Sequence, residues 1–460
     1  MITVTSYINK SVGVLGLGRS GLSAVRALEA GGSDVWAWDD IEEKRESALL
    51  LGIKLTNLYR SDLSMIDVLI LSPGIPDRYP EPHPLTLKAR EAGCEIICDI
   101  DLLARENNVS RFIGISGTNG KSTTTSLIGH ILSSADHQVE VGGNFGIPAL
   151  DLQPLDGDGT YVLELSSYQL ERIPSIELDI AVLLNISPDH LERHGGMQGY
   201  VSAKKILFDR IRKSSKIIIG MEDKHCRSIC LELMLDLGVE NIIPIAGSTR
   251  VPGGIYVDNG ILIDDLKNTK AEITDLSNIP RLPGQHNWQN AAAAYAIARS
   301  FDIRPSKIAD TFKTYEGLAH RQELILSSGG VSFINDSKAT NTDSTAKALV
   351  CYENIHWIVG GQFKEESLGA LQPVLNRVAH AYLIGRKLDK LENLLDPFVP
   401  VSRCGDLASA LDIAYHNACL TKPSTILLSP ACASFDQFKN FEERGDTFRH
   451  LINNLGIIST

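Results

Sequence analysis

Cysteine is sparse in this chain and follows no framework. The eight cysteines include no C-x-x-C pair and no regular spacing, which argues against a disulfide scaffold. Cys94/Cys98 and Cys226/Cys230 are each four residues apart, a spacing that fits one face of a helix as readily as a metal site. Buried, reduced thiols are the expectation, and His225 beside Cys226 adds little to the metal reading. Long apolar runs are missing too: none reaches membrane-spanning length, and residues 8–19 carry no signal-peptide pattern, so a cytoplasmic protein is expected. Positive charge is short. Lys and Arg total 44 against 56 Asp and Glu, a net charge of −12, and no basic stripe gathers, which argues against a nucleic-acid surface. With 43% hydrophobic and 22% charged residues, little of the chain is left for a disordered tail. The 460 residues are enough for about three domains, each with its own core.

Residues 113–125 read IGISGTNGKSTTT. An apolar strand, 112–115, runs into a glycine-bracketed loop, Gly117-Thr118-Asn119-Gly120-Lys121-Ser122, followed by Thr123. Leu127, Ile128, Ile131 and Leu132 then fall on one face of a helix. Glycines let main-chain N–H groups turn toward a triphosphate, and a helix N-terminus favours anions. Lys121 adds a mobile charge for the outer phosphates and Ser122 a hydroxyl for the accompanying magnesium. The loop is short: G-x-x-x-x-G-K-[ST] would need a glycine where Ile115 stands. The alternative is a Gly-Asn turn with a surface lysine.

Upstream, a buried-type strand at 12–15 precedes Gly16-Leu17-Gly18-Arg19-Ser20-Gly21, a helix at 22–30 and a strand at 34–38 ending in Asp39-Asp40. This is a G-x-G-x-x-G turn with an acid at the end of the second strand. It suits a diphosphate on a helix N-terminus and a carboxylate on a sugar or base. NAD and a UDP-sugar both satisfy it, so a nicotinamide-dependent dehydrogenase stays open here.

Downstream, the apolar strand 161–165 is interrupted by Glu164. A lone acid in such a run is costly to bury unless paired or bound to a cation, although a strand-end carboxylate can also cap the next helix. A strand at 179–186 delivers Ser187-Pro188-Asp189-His190 at the sheet edge where ligands bind. Tyr200, Ala203, Leu207, Phe208 and Ile211 form an apolar helical face that includes Lys204 and leaves Lys205 outside. A lysine on a buried stripe tends to lose its proton and can then take up carbon dioxide as a carbamate; a snorkelling lysine is the alternative. Gly142-Gly143-Asn144-Phe145-Gly146 is a glycine-rich turn. Gly284-Gln285-His286-Asn287-Trp288-Gln289-Asn290 enters a helix at 291–298, with Asn287 and Asn290 at its start, where Asn287 also suits a helix cap.

In the last third, His320-Arg321 follows Gly317. A strand at 331–335 ends in Asp336-Ser337-Lys338-Ala339-Thr340-Asn341, and a strand at 356–359 leads into Gly360-Gly361-Gln362-Phe363-Lys364. Another at 425–428 leads into the string from Ser429 through Ser434 to Phe441. Strand-then-polar-turn units with intervening helices imply a further doubly wound sheet.

Three strings, GTNGKSTT at 117–124, NDSKATN at 335–341 and SPACASFDQFKNFEERG at 429–445, resemble those of the Mur ligase family. The resemblance implies an α/β fold of three domains: a Rossmann-like one at 1–99, a P-loop ATPase-like one at 100–317 and a Rossmann-like one at 318–460. It implies an ATP-dependent acid–amino-acid ligase of peptidoglycan precursor synthesis, working through an acyl phosphate, with closure of the domains before chemistry. The last string resembles that of the D-glutamate-adding branch, whose other substrate is UDP-N-acetylmuramoyl-L-alanine. Within the resemblance Gly18, Arg19, Ser20, Asp39, Ser72 and Asn144 contact the UDP substrate, although Asp40 and Ile41 stand where the family often has a hydroxyl and a basic residue. Gly117 to Thr123, Asn287, Asn290, Arg321 and Asp336 hold ATP. Two magnesium sites are implied, with Ser122, Glu164, His190 and a carbamylated Lys204 as ligands. Lys121, Glu164, His190, Lys204, Arg321 and Lys338 are the implied catalytic groups, and Thr340, Lys364, Ser434 and Phe441 position D-glutamate. A monomer is expected. A folylpolyglutamate synthetase-like ligase would share the reaction type but leave the first domain unexplained.

Overall fold

The computed structural model describes residues 1–267, 269–363 and 365–455. They cluster into two compact units, one of Met1–Asp275 with Trp288–Thr314, the other of Leu276–Asn287 with the residues from Tyr315 onward.

The first unit holds two sheets. The smaller is parallel, in the order Asp34–Trp38, Ser11–Leu15, Val68–Leu71, Glu95–Ile97. Val68–Leu71 is buried at every residue, as expected for a strand covered on both faces. The helix after the first strand spans Arg19–Ala30, starting three residues earlier than the apolar pattern indicated and so drawing Arg19 and Ser20 into its first turn. Glycine is obligatory at two points of the preceding turn. Gly16 has φ 94°, and a Cβ on Gly21 would stand 1.8 Å from the Gly16 carbonyl oxygen.

The larger sheet has nine strands among the described residues. Their order is Ala271–Asp275, Ile261–Asp264, Ile255–Asp258, Ile242–Ala246, Ile211–Gly220, Leu178–Leu183, Arg111–Ser116, Thr160–Glu164, Val139–Gly143. The run from Val139–Gly143 to Ile255–Asp258 is parallel, and the last two strands add on antiparallel. Arg111–Ser116 lies between Thr160–Glu164 and Leu178–Leu183, so the loop at its C-terminal end opens in the middle of the sheet edge.

Two expectations need correction. Ile211 does not continue the helical face of Lys204. The helix Met197–Lys205 tightens into a 3-10 turn at Ile206–Arg210, and Ile211 opens a strand by pairing with Leu178, so sheet pairing overrides the helical period. Cys94 and Cys98 do not share a helix face either; they bracket the strand Glu95–Ile97. Cys226 and Cys230 do lie on one helix, Lys224–Leu237, and both are buried. All eight cysteines are free thiols.

The second unit has a six-stranded sheet among the described residues. Its order is Glu323–Ser328, Val331–Asn335, Ser424–Leu428, Ile355–Gly360, Val378–Ile384, Val401–Gly405, antiparallel only at the first pair. Its core is filled by Phe333, Trp357, Tyr382 and Phe448, none more than marginally exposed. Among the described residues no helix is long and apolar enough to cross a membrane.

Candidate active site

The loop 117–122 leaves the central strand with Gly117 at φ 152° and enters the helix Lys121–Ser134 through Gly120 at φ 86°. Asn290 packs against Gly120 so closely that a Cβ there would lie 2.3 Å from its Oδ1. The loop is pinned from the neighbouring strand end. Asn185 Oδ1 accepts from Asn119 N–H at 2.9 Å and its Nδ2 donates to Asn119 O at 3.0 Å. Thr118 Oγ1 donates to Ser187 O at 3.1 Å, accepts from Ser187 N–H at 3.0 Å and meets the Tyr200 hydroxyl at 3.1 Å. Thr123, in the first helical turn, is half-buried.

Two lysines converge on one carbonyl. Lys121 Nζ donates to Gly117 O at 2.9 Å and to Thr118 O at 2.8 Å, while Lys204 Nζ donates to Gly117 O at 2.8 Å and to Ser116 Oγ at 3.4 Å. Lys204 is 1% exposed and sits over the Tyr200 ring, 4.8 Å from its centroid. Burial, reinforced by the ammonium of Lys121, pushes its amine well below the ordinary lysine range.

Glu164 ends the strand Thr160–Glu164 and is buried. Its Oε2 accepts from Ser122 Oγ at 2.5 Å and its Oε1 from Asn144 Nδ2 at 2.9 Å. A hydroxyl and a carboxylate oxygen lie side by side at the mouth of the phosphate loop, a donor set that suits a hard divalent cation. His190 is elsewhere in character: half-exposed, at φ 50°, with Nε2 3.5 Å from Asp189 Oδ2.

A buried histidine nearby in sequence is His194, which sequence reasoning passed over. It stacks on Tyr168, centroids 5.2 Å apart, tilts against Tyr200 at 5.3 Å and meets Ser167 Oγ through Nε2 at 2.9 Å. Burial first, then the charge of Lys204, pushes it down to about 4, so it is neutral at pH 7. The only sequence clue was its four-residue spacing from His190.

The Gly16–Gly21 turn is closed by its own neighbours. Asp39 Oδ2 accepts from Leu17 N–H at 2.7 Å, Asp39 Oδ1 accepts from Ile41 N–H at 2.9 Å, and Ser72 Oγ donates to Gly16 O at 2.8 Å. Gly18 caps the helix, and the Arg19 guanidinium donates to Gly146 O, two residues beyond Asn144. Ser20 faces the buried carboxylate of Asp99. Arg172 and Arg193 donate to Ile75 O and Gly74 O, each at 3.0 Å, tying the loop after Ser72 to the larger sheet. Sugar-side and phosphate-side candidates of the first unit thus share one connected region.

In the second unit Asp336 is buried beyond the strand Val331–Asn335. It accepts from Gln322 N–H at 3.1 Å and from Ser429 Oγ at 2.7 Å. Burial raises its carboxyl to about 7, opposed by these bonds and by nearby Arg321. Lys338 Nζ lies 3.8 Å from the centroid of Phe441. Ser337 Oγ donates to Phe441 O at 2.8 Å and accepts from the buried Arg444 at 3.0 Å. Ser434 is buried and Thr340 exposed. Lys364 lies outside the described residues. Asn287 does not cap its helix, which begins earlier, at Gln285; its Nδ2 donates to Pro283 O at 2.8 Å.

A parallel α/β sheet carrying a glycine-bracketed, lysine-lined loop beside a buried carboxylate defines a phosphate-handling α/β protein. Comparison with known proteins narrows that class. The Mur ligase middle domain matches residues 115–298. The UDP-N-acetylmuramoylalanine--D-glutamate ligase of Paramagnetospirillum magneticum is 46% identical over 454 residues, 98% of each chain. That of Rhodospirillum rubrum is 45% identical over 462 residues, covering 99% of this chain and 97% of the relative. Among solved structures, the UDP-N-acetylmuramate-alanine ligase MurC of Thermotoga maritima shares the fold, with a TM-score of 0.61 at 16% identity over 97% of this chain and 99% of that one. The chain belongs to the Mur ligase family.

Proposed function

We propose that the chain joins D-glutamate to UDP-N-acetylmuramoyl-L-alanine at the expense of ATP, in cytoplasmic synthesis of peptidoglycan precursors. The observation that carries this reading is the convergence of Lys121 and Lys204 on the Gly117 carbonyl beside the Ser122–Glu164 oxygen pair. The full-length similarity to D-glutamate ligases supports it.

The substrate carboxylate attacks the γ-phosphorus of ATP, the bond to the β-phosphate oxygen breaks, and ADP leaves. The D-glutamate amine then attacks the acyl phosphate, loses a proton, and inorganic phosphate departs as the amide forms. Two anions must approach each other in the first step, so the site has to concentrate positive charge. Lys121 and Arg321 supply it. Ser122 and Glu164 are the residues that would hold magnesium, which when bound neutralises phosphate charge. Burial pushes the Lys204 amine toward the neutral form, which can combine with carbon dioxide and lose a proton to leave a carbamate whose oxygens, with His190, would serve a second cation. Gly18, Arg19, Ser20, Asp39, Ser72 and Asn144 are assigned to the UDP substrate, Asn287 and Asn290 to the adenine of ATP, and Asp336 to ATP. Thr340, Lys364, Ser434 and Phe441 are assigned to D-glutamate, and Lys338 to catalysis. Division into domains at 1–99, 100–317 and 318–460, and function as a monomer, belong to the same reading.

Phosphate release from ATP, assayed with UDP-N-acetylmuramoyl-L-alanine and each amino acid in turn, tests the proposal. Release with D-glutamate is expected. Release only with L-glutamate or with a folate, or binding of NAD in place of ATP, overturns it.

A further inference from the structure

Two residues that carry side chains adopt the left-handed conformation on either side of Arg321: His320 at φ 62° and Gln322 at φ 47°. Such residues stay in that region only where their surroundings hold them. His320 is held by three bonds. Its N–H donates to Glu323 Oε2 at 3.0 Å, its carbonyl accepts from Lys338 N–H at 3.0 Å, and its Nδ1 accepts from Asn335 Nδ2 at 3.0 Å.

Gln322 is held at both ends. Its N–H donates to Asp336 Oδ1 at 3.1 Å. Its terminal amide sits in a socket in which Tyr352 O–H donates to Oε1 at 3.3 Å and Nε2 donates to His286 Nε2 at 2.9 Å. Burial pushes the His286 imidazole down to about 3, so the ring is neutral at pH 7; with Nε2 accepting, its proton resides on Nδ1. The socket therefore pairs both ends of the amide, and methionine would leave both partners unpaired.

We propose that Gln322 is a positioning residue: the His286–Tyr352 socket grips its amide and thereby fixes the strained backbone that presents Arg321 beside Asp336. The inference rests on the reading that Arg321 stabilises the transferring phosphoryl group. A guanidinium displaced by a fraction of an ångström loses most of that stabilisation while substrates still bind.

Steady-state phosphate release in Gln322→Met, Tyr352→Phe, Arg321→Ala and the Gln322→Met/Arg321→Ala double variant tests it. The expected result is a fall in kcat of about tenfold for Gln322→Met and about threefold for Tyr352→Phe, with the KM for D-glutamate unchanged. In the Arg321→Ala background, adding Gln322→Met lowers kcat by less than about twofold, because the residue it acts through is gone. A fully multiplicative double variant, or an unimpaired Gln322→Met beside a damaged Arg321→Ala, overturns the inference and leaves the role of Arg321 standing. An unimpaired Arg321→Ala overturns both. Should Gln322→Met not fold, the same cycle run with Tyr352→Phe decides by the same criteria.

Discussion

The turn at residues 16–21 and the loop at 117–122 both carry the chain from a parallel strand through at least one positive-φ glycine into a helix, yet different side chains close them. At the first, the carboxylate of Asp39 already occupies the Leu17 N–H, and Ser72 secures the Gly16 carbonyl. At the second, two lysines crowd the Gly117 carbonyl, and burial pushes the amine of the enclosed one well below the ordinary lysine range. A helix N-terminus alone favours an anion. What distinguishes the two is therefore what the rest of the chain brings to them: an acid that shapes the first turn, and lysines that gather at the second loop.

Breaking the cationic side should have the largest effect. Lys121→Met is expected to lower kcat for ATP-dependent phosphate release by about 10²–10³-fold, with the KM for the UDP substrate within about twofold. An equal change in that KM would dissolve the contrast between the two turns. Next in size, Lys204→Ala should cost about 10–100-fold in activity, partly restored by short-chain carboxylic acids and not by bicarbonate; an unimpaired variant would make Lys204 a packing residue. The smallest effect is expected at the first turn. Gly21→Ala forces a Cβ against the Gly16 carbonyl and should cost about 1–3 kcal/mol in stability, seen as a lower Tm. It should raise the KM for the UDP substrate and leave the KM for ATP unchanged, and equal effects on the two would show that the turns are not separable.

Much of this was legible where chemistry is local. The strand, loop and helix around Lys121 follow from glycine placement and an apolar face, and the burial of Lys204 follows from its position on a stripe between Ala203 and Leu207. Ile211 was misread because the stripe continues in sequence after the helix has ended, and only pairing with Leu178 reveals the strand. Asp39 read as a ligand to a sugar or base, and in the fold its oxygens accept from the backbone N–H groups of Leu17 and Ile41. His194 and Gln322 were invisible for one reason: each takes its meaning from partners brought near only by folding, Ser167 and Tyr168 in one case, His286 and Tyr352 in the other.

The unpaired cysteines carry a practical consequence. Cys98 lies in the first unit and Cys432 in the second, both buried; burial raises both thiols, that of Cys432 to about 12. Since alkylating reagents consume the thiolate form, neither sulfur reacts until its surroundings open. Mass-resolved labelling of these two positions is thus a pair of clocks native to the molecule, one timing the unfolding of each unit.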